Sequence, residues 1–499
     1  MQTFLALVPI LIVLILMLGL RWSSPLAGLA GWVGGILVGL LVFGLNWPVF
    51  WVSQAKGLML TFNVMLMLWP AIFLYNLVDK VGGIKAISTA MEQRVHDKGW
   101  LLIMQSWMLS ATIESLAGFG LPIAMVAPLL ITLGVPPVMA VAAPAVGHTW
   151  ASSTGGMALS LRLLSDITHY PPEMLFPLSA LLLGISMILS GMAVAFMLKE
   201  KSHWWRVLIV GVVAAGIHYI TGATGLLSVS ALIASIAGFA VGTWLNRRRA
   251  NGDEKAPTSP ALLAGLIAYG ILVVIMLLVS LIPPLAAWLS QFTWTLTFPA
   301  VATSTGVATP AEEGYLFHIF THPGTLILAA IAIALLVFRF VKALPMPDLK
   351  ASLKSTLRSG MPASLGTLFM IGLSSTMEHT GMTLVLANAL SANAGSVYPL
   401  FSPLIGVLGS FATGSNVNSN VLFGVLQREI ATLIGASPVL LLAAQTTGGS
   451  LGSSIAPAKL ALGTSTSAAK GHEGDVLRIT LPICLGIAII IGVVTLMIA

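Results

Sequence analysis

The sequence predicts an all-α, polytopic membrane protein of roughly 12–16 spans, built from two inverted-topology repeats whose helices are discontinuous and broken at glycine. Three observations lead to this fold class: an apolar composition, an internal repeat, and an exchange of basic residues between the two copies of that repeat. Apolar residues make up 57% of the 499 positions, charged residues make up only 8%, and the mean hydropathy is +0.99. A soluble domain of this length carries far more charge.

An internal duplication is visible in two segments that lie 301 residues apart. Segment 137–153 aligns without a gap on segment 438–454, and seven of the seventeen positions are identical. A second match, Asp79–Gly82 against Glu378–Gly381, keeps nearly the same separation. We therefore predict an N-terminal span at 1–24, a first repeat at 25–206, connecting spans at 207–323 with a cytoplasmic linker at 246–260, and a second, inverted repeat at 324–499.

The basic residues predict that the two copies have opposite orientations in the membrane. The loop from Lys80 to Lys98 carries four Lys or Arg residues, whereas the equivalent region after Glu378 carries none. One hairpin earlier the bias reverses, with one basic residue in 46–56 and four in 342–358. Cytoplasmic loops are enriched in Lys and Arg, so equivalent loops should lie on opposite sides. The same rule accounts for the net charge of +7 without a nucleic-acid partner.

Polar, glycine-rich segments interrupt the apolar runs at equivalent places in the two halves. They are Thr112–Pro122 and Gly147–Gly156 in the first half, and Gly409–Asn420 and Gln445–Ser454 in the second. Glycine lets a helix stop within the bilayer, and the helix that restarts directs free N–H groups and a positive dipole end inwards. Such ends bind anions. For any single Gly, Ser or Thr, close helix packing is the alternative interpretation.

Two titratable residues lie within these segments. A carboxyl group at bilayer depth costs about 3 kcal/mol or more on insertion scales, so Glu114 is predicted to be a proton carrier or an ion ligand. A structural partnership with His148 is the alternative. His148 itself is either a proton relay or a hydrogen-bonded packing residue. Glu429, beside Arg428, forms either a surface pair or an inward-facing ion pair.

Several function classes lack the sequence features that they need. The chain has no Gly-Lys-Ser/Thr phosphate loop for a primary pump and no His-Glu-x-x-His motif for a membrane metalloprotease. The single cysteine, Cys484, excludes a disulfide framework and a multi-cysteine metal site. Nothing resembles the ring of carbonyls or charges of a channel filter. We expect no enzyme activity, no metal and no cofactor, but a secondary transporter that binds its substrate where the halves meet.

At these polar segments the chain resembles the L-lactate permeases, which also carry glycolate and related 2-hydroxy acids. The resemblance covers most of the chain and rests on Ile113-Glu114, Ala117–Gly120, Pro122, Gly409–Phe411, Gly414-Ser415, Ser419-Asn420, Phe423-Gly424, Gln427, Gln445, Gly448-Gly449 and Gly452. It implies a proton-coupled importer of L-lactate, D-lactate or glycolate in a bacterial cytoplasmic membrane. The chain departs from the family pattern at His148, Asn416 and Lys459, so the resemblance does not define its preferred acid or its proton relay.

The residues and the resemblance together predict one substrate site. The substrate carboxylate would lie between two turns, bound by backbone N–H groups and hydroxyl or amide side chains: Gly118, Phe119 and Gly120 on one side, and Gly414, Ser415, Asn416 and Ser419 on the other. Candidates for the 2-hydroxyl group are Ser152, Ser153, Gln445 and Thr446. Glu114 would carry the coupling proton, with His148 nearby.

Sodium coupling is the alternative to proton coupling for a carboxylate or other organic-anion transporter. Thr413, Asn416, Asn418 and exposed carbonyl groups could coordinate Na⁺ as well as surround an anion. The partners expected in either case are a small carboxylate and the lipid bilayer. The sequence leaves open the oligomeric state and the choice between a rocking and an elevator movement.

Overall fold

The computed structural model of the chain describes residues 1–92, 97–116, 118, 120–246, 259–313 and 317–499. Phe119 and most of the predicted linker at 246–260 lie outside the described residues. Within the described ranges the chain is helical, apart from a set of two-residue strands. The predicted all-α fold class is confirmed.

The helices fall into three groups along the chain. The first group is α1 (Gln2–Leu14), α2 (Ser24–Val42), α3 (Trp47–Lys80), α4 (Gly83–Glu92), α5 (Lys98–Met104), α6 (Ser110–Leu116), α7 (Leu121–Thr132), α8 (Pro137–Gly147), α9 (Leu159–Thr168) and α10 (Pro172–Met197). The central group is α11 (Trp204–Thr221), α12 (Ser230–Leu245), α13 (Pro260–Leu281) and α14 (Pro283–Ser290). The last group is α15 (Pro323–Phe340), α16 (Leu349–His379), α17 (Met382–Ala394), α18 (Tyr398–Thr413), α19 (Asn416–Ile434), α20 (Pro438–Ser454), α21 (Pro457–Ser465) and α22 (Glu473–Ile498).

The order of helices repeats along the chain. Helices α2 to α10 are followed, about three hundred residues later, by α15 to α22 in the same order. For example, α8 and α20 begin at Pro137 and Pro438, and both are followed by a short helix and then a 26-residue helix. The copies differ at a π-helical turn, Gln105–Leu109, which joins α5 to α6 where α18 is a single helix. They differ again after α8, where 3₁₀ turns at Thr149–Ala151 and Gly156–Ala158 stand in place of the last part of α20. The duplication read from the sequence is therefore reflected in the helix order, while the inverted orientation of the copies stays a prediction.

Nine segments of the described chain are long and apolar enough to cross a membrane: Gln2–Gly19, Ser24–Val42, Trp47–Lys80, Pro172–Met197, Lys201–Leu245, Pro260–Leu281, Pro323–Phe340, Met382–Thr413 and Glu473–Ile498. A spanning helix needs about 20 residues, so helices interrupted by glycine, such as α6 and α7, are not among the nine. The 12–16 spans predicted from the sequence included such interrupted helices. Large apolar side chains such as Leu41, which is 82% exposed, cover the outer faces. The chain is a multi-pass membrane protein.

The two halves pack against each other through α8 and α20 and through α3 and α16. Helix α16 packs on α2 and α3, and α20 packs on the 3₁₀ turn Thr149–Ala151 that follows α8. The Ser450 Oγ donates a hydrogen bond to the Thr149 carbonyl. These two residues are equivalent in the alignment of segments 137–153 and 438–454, which lie 301 positions apart. Equivalent residues of the two copies thus contact each other at this junction.

The region between α14 and α15 forms a long hairpin of short antiparallel pairs. The pairs are β1 (Thr293–Trp294) with β6 (Phe317–His318), β2 (Thr297–Phe298) with β5 (Glu312–Glu313), and β3 (Val301–Ala302) with β4 (Ala308–Thr309), in the register Thr293↔His318, Thr297↔Glu313 and Val301↔Thr309. Its tip is bound to the turn between α2 and α3, where Asn46 Nδ2 donates to the Ala302 carbonyl at 2.7 Å. The sequence analysis did not predict this hairpin.

Candidate substrate and proton site

Two helices are broken at the positions that the sequence indicated. Helix α6 ends at Leu116 and α7 begins at Leu121, with Gly118 and Gly120 at φ values of +64° and +83°. Helix α18 ends at Thr413 and α19 begins at Asn416, with Gly414 at φ +72°. Positive φ is readily adopted only by glycine, which explains why the chain breaks there.

A cavity of about 1120 Å³ lies between the two breaks. The first half contributes Glu114, Gly118 and Ser152 to its wall, and the second half contributes Gly414, Ser415, Asn416, Asn418, Ser453 and Lys459. Further wall residues come from the start of α2 and from α16, among them Ser24 and Thr367. A mostly apolar cavity with a few convergent polar groups is the usual form of a small-molecule site.

The N-terminal end of α19 forms one polar wall of the cavity. The Ser415 Oγ caps the helix by accepting from the Asn418 backbone N–H at 3.4 Å. Asn418 is fixed on both sides, since its Nδ2 donates to Ser24 Oγ at 3.0 Å and its Oδ1 accepts from Thr367 Oγ1 at 3.3 Å. The first N–H groups of a helix have no partner within the helix and carry a partial positive charge. This end of α19 therefore suits a carboxylate.

Glu114 lies at the opposite wall and is 4% exposed. Its Oε1 accepts a hydrogen bond from Ser152 Oγ at 2.8 Å and lies 3.9 Å from the Lys459 Nζ. Its Oε2 lies 3.9 Å from the His148 Nε2. Oε2 and Nε2 are both buried and have no hydrogen-bond partner among the described residues. The two oxygens of one carboxyl group thus have different surroundings, a cation and a hydroxyl on one side and an imidazole on the other.

The hydrogen bonds of His148 define its tautomer. Its Nδ1 lies 2.6 Å from the Pro144 carbonyl oxygen. Because a carbonyl oxygen only accepts, Nδ1 carries a proton. The neutral ring therefore presents a lone pair on Nε2 towards Glu114. One proton on Nε2 or Oε2 would make these atoms a donor and an acceptor, which form a hydrogen bond if they approach each other by about 1 Å.

Asn416 joins the cavity to the junction between the halves. Its Nδ2 donates to Ser153 Oγ at 2.8 Å and to the Thr446 carbonyl at 3.3 Å, while its Oδ1 is buried without a partner among the described residues. The Oδ1 lies against Gly449, where a Cβ would overlap it. Glycine at 449 thus leaves room for the Asn416 side chain, so the cavity wall depends on the packing of α20.

Four other residues predicted to bind the substrate lie behind the cavity wall: Ser153, Ser419, Gln445 and Thr446. The Ser153 Oγ donates to the Thr446 carbonyl at 2.7 Å, and the Gln445 Nε2 donates to Ser419 Oγ at 3.1 Å. None of these four belongs to the cavity lining among the described residues. Gly120 also lies outside the lining. It packs on the side chain of Lys459, and a Cβ added to Gly120 would be 3.2 Å from the Lys459 Cγ.

Lys459 is a charged wall residue that the sequence analysis did not assign to the site. Its Nζ donates to Ser453 Oγ at 2.8 Å, and its side chain is 11% exposed. The available signal was a basic residue between two apolar segments, in Ala456–Ala461, because an ionisable residue at membrane depth indicates a functional site. Its proximity to Glu114 could not be read from the chain, since the two residues are 345 positions apart.

A second cavity, of about 910 Å³, contains the ion pairs around Arg428. The Arg428 NH2 lies 3.0 Å from Glu378 Oε1 and 2.8 Å from Glu429 Oε1, so it links α19 to α16. Asn63 Nδ2 donates to Asp166 Oδ2 at 2.7 Å, and Asp166 also lines this cavity. Of the two alternatives for Glu429, the structure shows an ion pair that lines a cavity.

Comparison with known proteins identifies the family. A model described as L-lactate permease matches residues 2–499. The chain is 26% identical to an L-lactate permease of Bacillus subtilis (strain 168), over 98% of this chain and 94% of that protein. It is 24% identical to the glycolate permease of Escherichia coli (strain K12), over 100% of this chain and 95% of that protein.

Among solved structures, the crystal structure of the Alcanivorax borkumensis YdaH transporter matches with a TM-score of 0.48 and 16% identity, over 87% of this chain and 84% of that one. The family model covers almost every residue of the chain and includes both broken helices. With its membrane-spanning helices, this protein is a multi-pass protein of the cell membrane and belongs to the L-lactate permease family.

Proposed function

We propose that this chain imports a short 2-hydroxy monocarboxylate across the cytoplasmic membrane by proton symport, with L-lactate as the first candidate and D-lactate and glycolate as the others. The names of its relatives, lactate permeases and a glycolate permease, support this substrate class. The observation that carries the proposal is Glu114, which lines a cavity that can hold an anion and whose buried Oε2 faces the buried Nε2 of His148 behind the wall.

The proton is the first half of the proposal. A buried polar atom without a partner costs free energy, and a proton on either Oε2 or Nε2, which lie 3.9 Å apart, would make the two a donor and an acceptor for each other. A proton on Oε2 can be donated to Nε2, and a proton on Nε2 can be donated to Oε2. The pair can therefore carry one proton on either atom, and an approach of about 1 Å between α6 and the end of α8 would join the two atoms in a hydrogen bond.

The anion is the second half of the proposal. The substrate carboxylate would lie at the N-terminal end of α19, near Ser415, Asn416 and Gly118. Ser152 also lines the cavity and donates to Glu114, so it can contact the 2-hydroxyl group and the proton site together. A protonated Glu114 beside a bound anion keeps the cavity close to neutral, which lowers the cost of a buried charge.

Sodium coupling has less support from the contacts. Two of the oxygen atoms it would use are oriented by partners within the protein, because Thr413 Oγ1 donates to the Gly409 carbonyl at 2.8 Å and Asn418 Oδ1 accepts from Thr367. Glu114, by contrast, is a titratable group in the wall of the cavity. We therefore favour the proton.

Uptake into proteoliposomes tests the proposal. An inward proton gradient should drive L-lactate accumulation by the purified protein, and an inward sodium gradient at equal pH should not. The Glu114→Gln variant should lose gradient-driven accumulation and retain lactate exchange, because glutamine cannot release a proton. Glu173→Gln, at the exposed first turn of α10, is the matched control and should accumulate lactate as the wild type does. Accumulation driven by sodium alone, or wild-type accumulation by Glu114→Gln, would refute proton symport through this residue.

A further inference from the structure

We infer that Lys459 couples the two cargoes, because the substrate carboxylate and Glu114 compete for its ammonium group. This inference rests on the proposed function and adds a residue and a mechanism to it. It starts from the position of the lysine, whose Nζ lies 3.9 Å from Glu114 Oε1 in the wall of the substrate cavity.

The surroundings of Lys459 leave its ammonium group available to a ligand. An ammonium group has three N–H donors. One hydrogen bond goes to Ser453 Oγ at 2.8 Å, and at 3.9 Å the contact with Glu114 is an ion pair longer than a hydrogen bond. The stem is held between the α21 backbone and Gly120, whose missing side chain leaves space for it. A carboxylate in the cavity can therefore reach Nζ without displacing the lysine.

The charges around the cavity give the competition its consequence. In the described part of the lining, the charged residues are Glu114, Lys459, Arg21 and Glu473. Arg21 is exposed, and Glu473 Oε1 accepts from Thr464 Oγ1 at 2.6 Å and from the Gly471 N–H at 3.3 Å. Glu114 faces His148 and Lys459. Lys459 is thus the less exposed of the two cations of the described lining, and Glu114 is its counter-ion when no substrate is bound.

The exchange of partners balances charge at each step. Before binding, the Lys459 ammonium and the Glu114 carboxylate compensate each other. When the substrate carboxylate binds the ammonium, Glu114 loses its counter-ion, and a buried carboxylate without one is stable only when protonated. It takes up a proton from the external solution on Oε2, and that O–H donates to the His148 Nε2 lone pair once the two atoms close from 3.9 Å to hydrogen-bond distance. The cavity again has no net charge, and release of the anion on the other side reverses the exchange.

The two oxygens of Glu114 explain why a single residue can report on both cargoes. Oε1 faces Lys459 and Ser152, which is the substrate side. Oε2 faces His148, which is the proton side. Loss of the ion pair at Oε1 therefore changes the proton affinity of the whole carboxyl group, and the new proton occupies the oxygen whose partner is already present.

Calorimetry on the purified full-length protein tests the inference, with lactate titrated in buffers of different ionisation enthalpy to count the protons taken up. Wild-type protein should take up about one proton per lactate at a pH where Glu114 is ionised, and its Kd should rise by up to about tenfold per pH unit. Lactamide, the neutral amide of lactate, should bring no proton. Glu114→Gln should bind lactate at least as tightly as wild type, with no proton uptake and no dependence of Kd on pH.

The lysine variants separate charge from packing. Lys459→Gln should raise the lactate Kd by about tenfold to a hundredfold, the range for loss of a charged hydrogen bond, and proton uptake should fall towards zero. Lys459→Arg should restore proton uptake, because it restores the charge. Lys470→Gln, an exposed lysine in the loop before α22, is the matched control and should behave as wild type.

Three results would overturn the inference. They are wild-type affinity and proton uptake in Lys459→Gln, continued proton uptake in Glu114→Gln, and weaker lactate binding in Glu114→Gln than in wild type. The last of these decides the question even if Lys459→Gln fails to fold. If wild-type protein binds no lactate, or binds it without a proton, the proposed function itself has failed, which is a different outcome.

Discussion

The two broken helices share one construction but differ in chemistry. The break between α6 and α7 is beside Glu114, which contacts His148 and Lys459. The break between α18 and α19 carries only neutral side chains, Ser415, Asn416 and Asn418. The duplicated scaffold thus places titratable groups on one side of the cavity and a helix N-terminus with amide side chains on the other.

This asymmetry has an energetic reason. A charge buried in the membrane interior is costly, so each added ionisable group needs its own counter-charge or proton. Backbone N–H groups and amides bind a carboxylate with much less desolvation cost, but they cannot exchange a proton at neutral pH. Under the proposed function, Glu114 and His148 of the first half would hold the proton and the neutral donors at the start of α19 would hold the anion, with Lys459 of the second half between them.

The comparison assumes that the two halves have opposite orientations in the membrane. A test of that orientation has the largest expected effect, because each position is labelled from one side and not from the other. Thr89 on α4 and Asn388 on α17 are equivalent, exposed positions. In a Cys484→Ser background, a membrane-impermeant maleimide added to intact cells should label Asn388→Cys and should reach Thr89→Cys only after the membrane is opened. The physical reason is the exchange of Lys and Arg between these regions, which places the first in the cytoplasm.

Cys484→Ser without an added cysteine is the control and should not be labelled. Labelling of Thr89→Cys and Asn388→Cys from the same side would show that the copies are parallel. The two helix breaks would then enter the membrane from the same side, and they would not be related by an inverted repeat.

Much of the fold and part of the site could be predicted from the sequence. The positions of the helix breaks followed from Gly118, Gly120 and Gly414, because a local backbone requirement leaves a local signal. Glu114 was indicated by its cost at bilayer depth. These predictions needed only the residues themselves and their place in an apolar run.

Long-range contacts could not be predicted in the same way. The pairing of Lys459 with Glu114 depends on how α21 packs beside the α6–α7 break, and no local pattern encodes it. Ser153 and Thr446 were predicted to face the substrate because they are polar at membrane depth, yet the Ser153 Oγ donates to the Thr446 carbonyl and lies 3.0 Å from the Thr446 hydroxyl at the junction. Polarity at depth therefore indicates a need for partners, and a partner can equally be another part of the protein.

A smaller effect is expected from the neutral wall of the cavity. Asn416→Leu should raise the apparent KM for lactate by about tenfold or more, the range for one lost hydrogen bond to a charged group. The number of protons moved per lactate should stay unchanged, because Glu114, His148 and Lys459 are intact. Uptake at a series of lactate concentrations, with the amount of folded protein checked by size-exclusion chromatography, measures both quantities.

Asn393→Leu, at the exposed end of α17, is the matched control and should leave the KM unchanged. Asn416 also donates to Ser153 and to the Thr446 carbonyl, so the amount of folded protein is part of the result. If purified Asn416→Leu binds lactate as the wild type does, the anion site lies elsewhere. If the variant binds lactate weakly and also loses protons per cycle, the two halves do not divide the cargoes as proposed.

The smallest expected effect tests whether the two halves are packed alike away from the cavity. Gly147 of α8 lies against the Ser106 carbonyl, and the equivalent Gly448 of α20 lies against the Pro403 carbonyl. A Cβ at either position would overlap a backbone atom, which cannot rotate away. Gly147→Ala and Gly448→Ala should therefore each destabilise the protein by about 1–3 kcal/mol, as overpacked cores do. A thermal unfolding scan of the purified variants in detergent would measure the loss.

Gly270→Ala is the control, because a Cβ there meets nothing within 4 Å. Since neither glycine lines the cavity in the described structure, the folded fraction of both variants should keep the wild-type KM. Equal losses of stability would mean that the halves share their packing and differ only in the chemistry of the breaks. A loss confined to Gly448→Ala would mean that the π-helical turn holding Ser106 has relaxed the first half, so that the asymmetry between the halves extends into the scaffold.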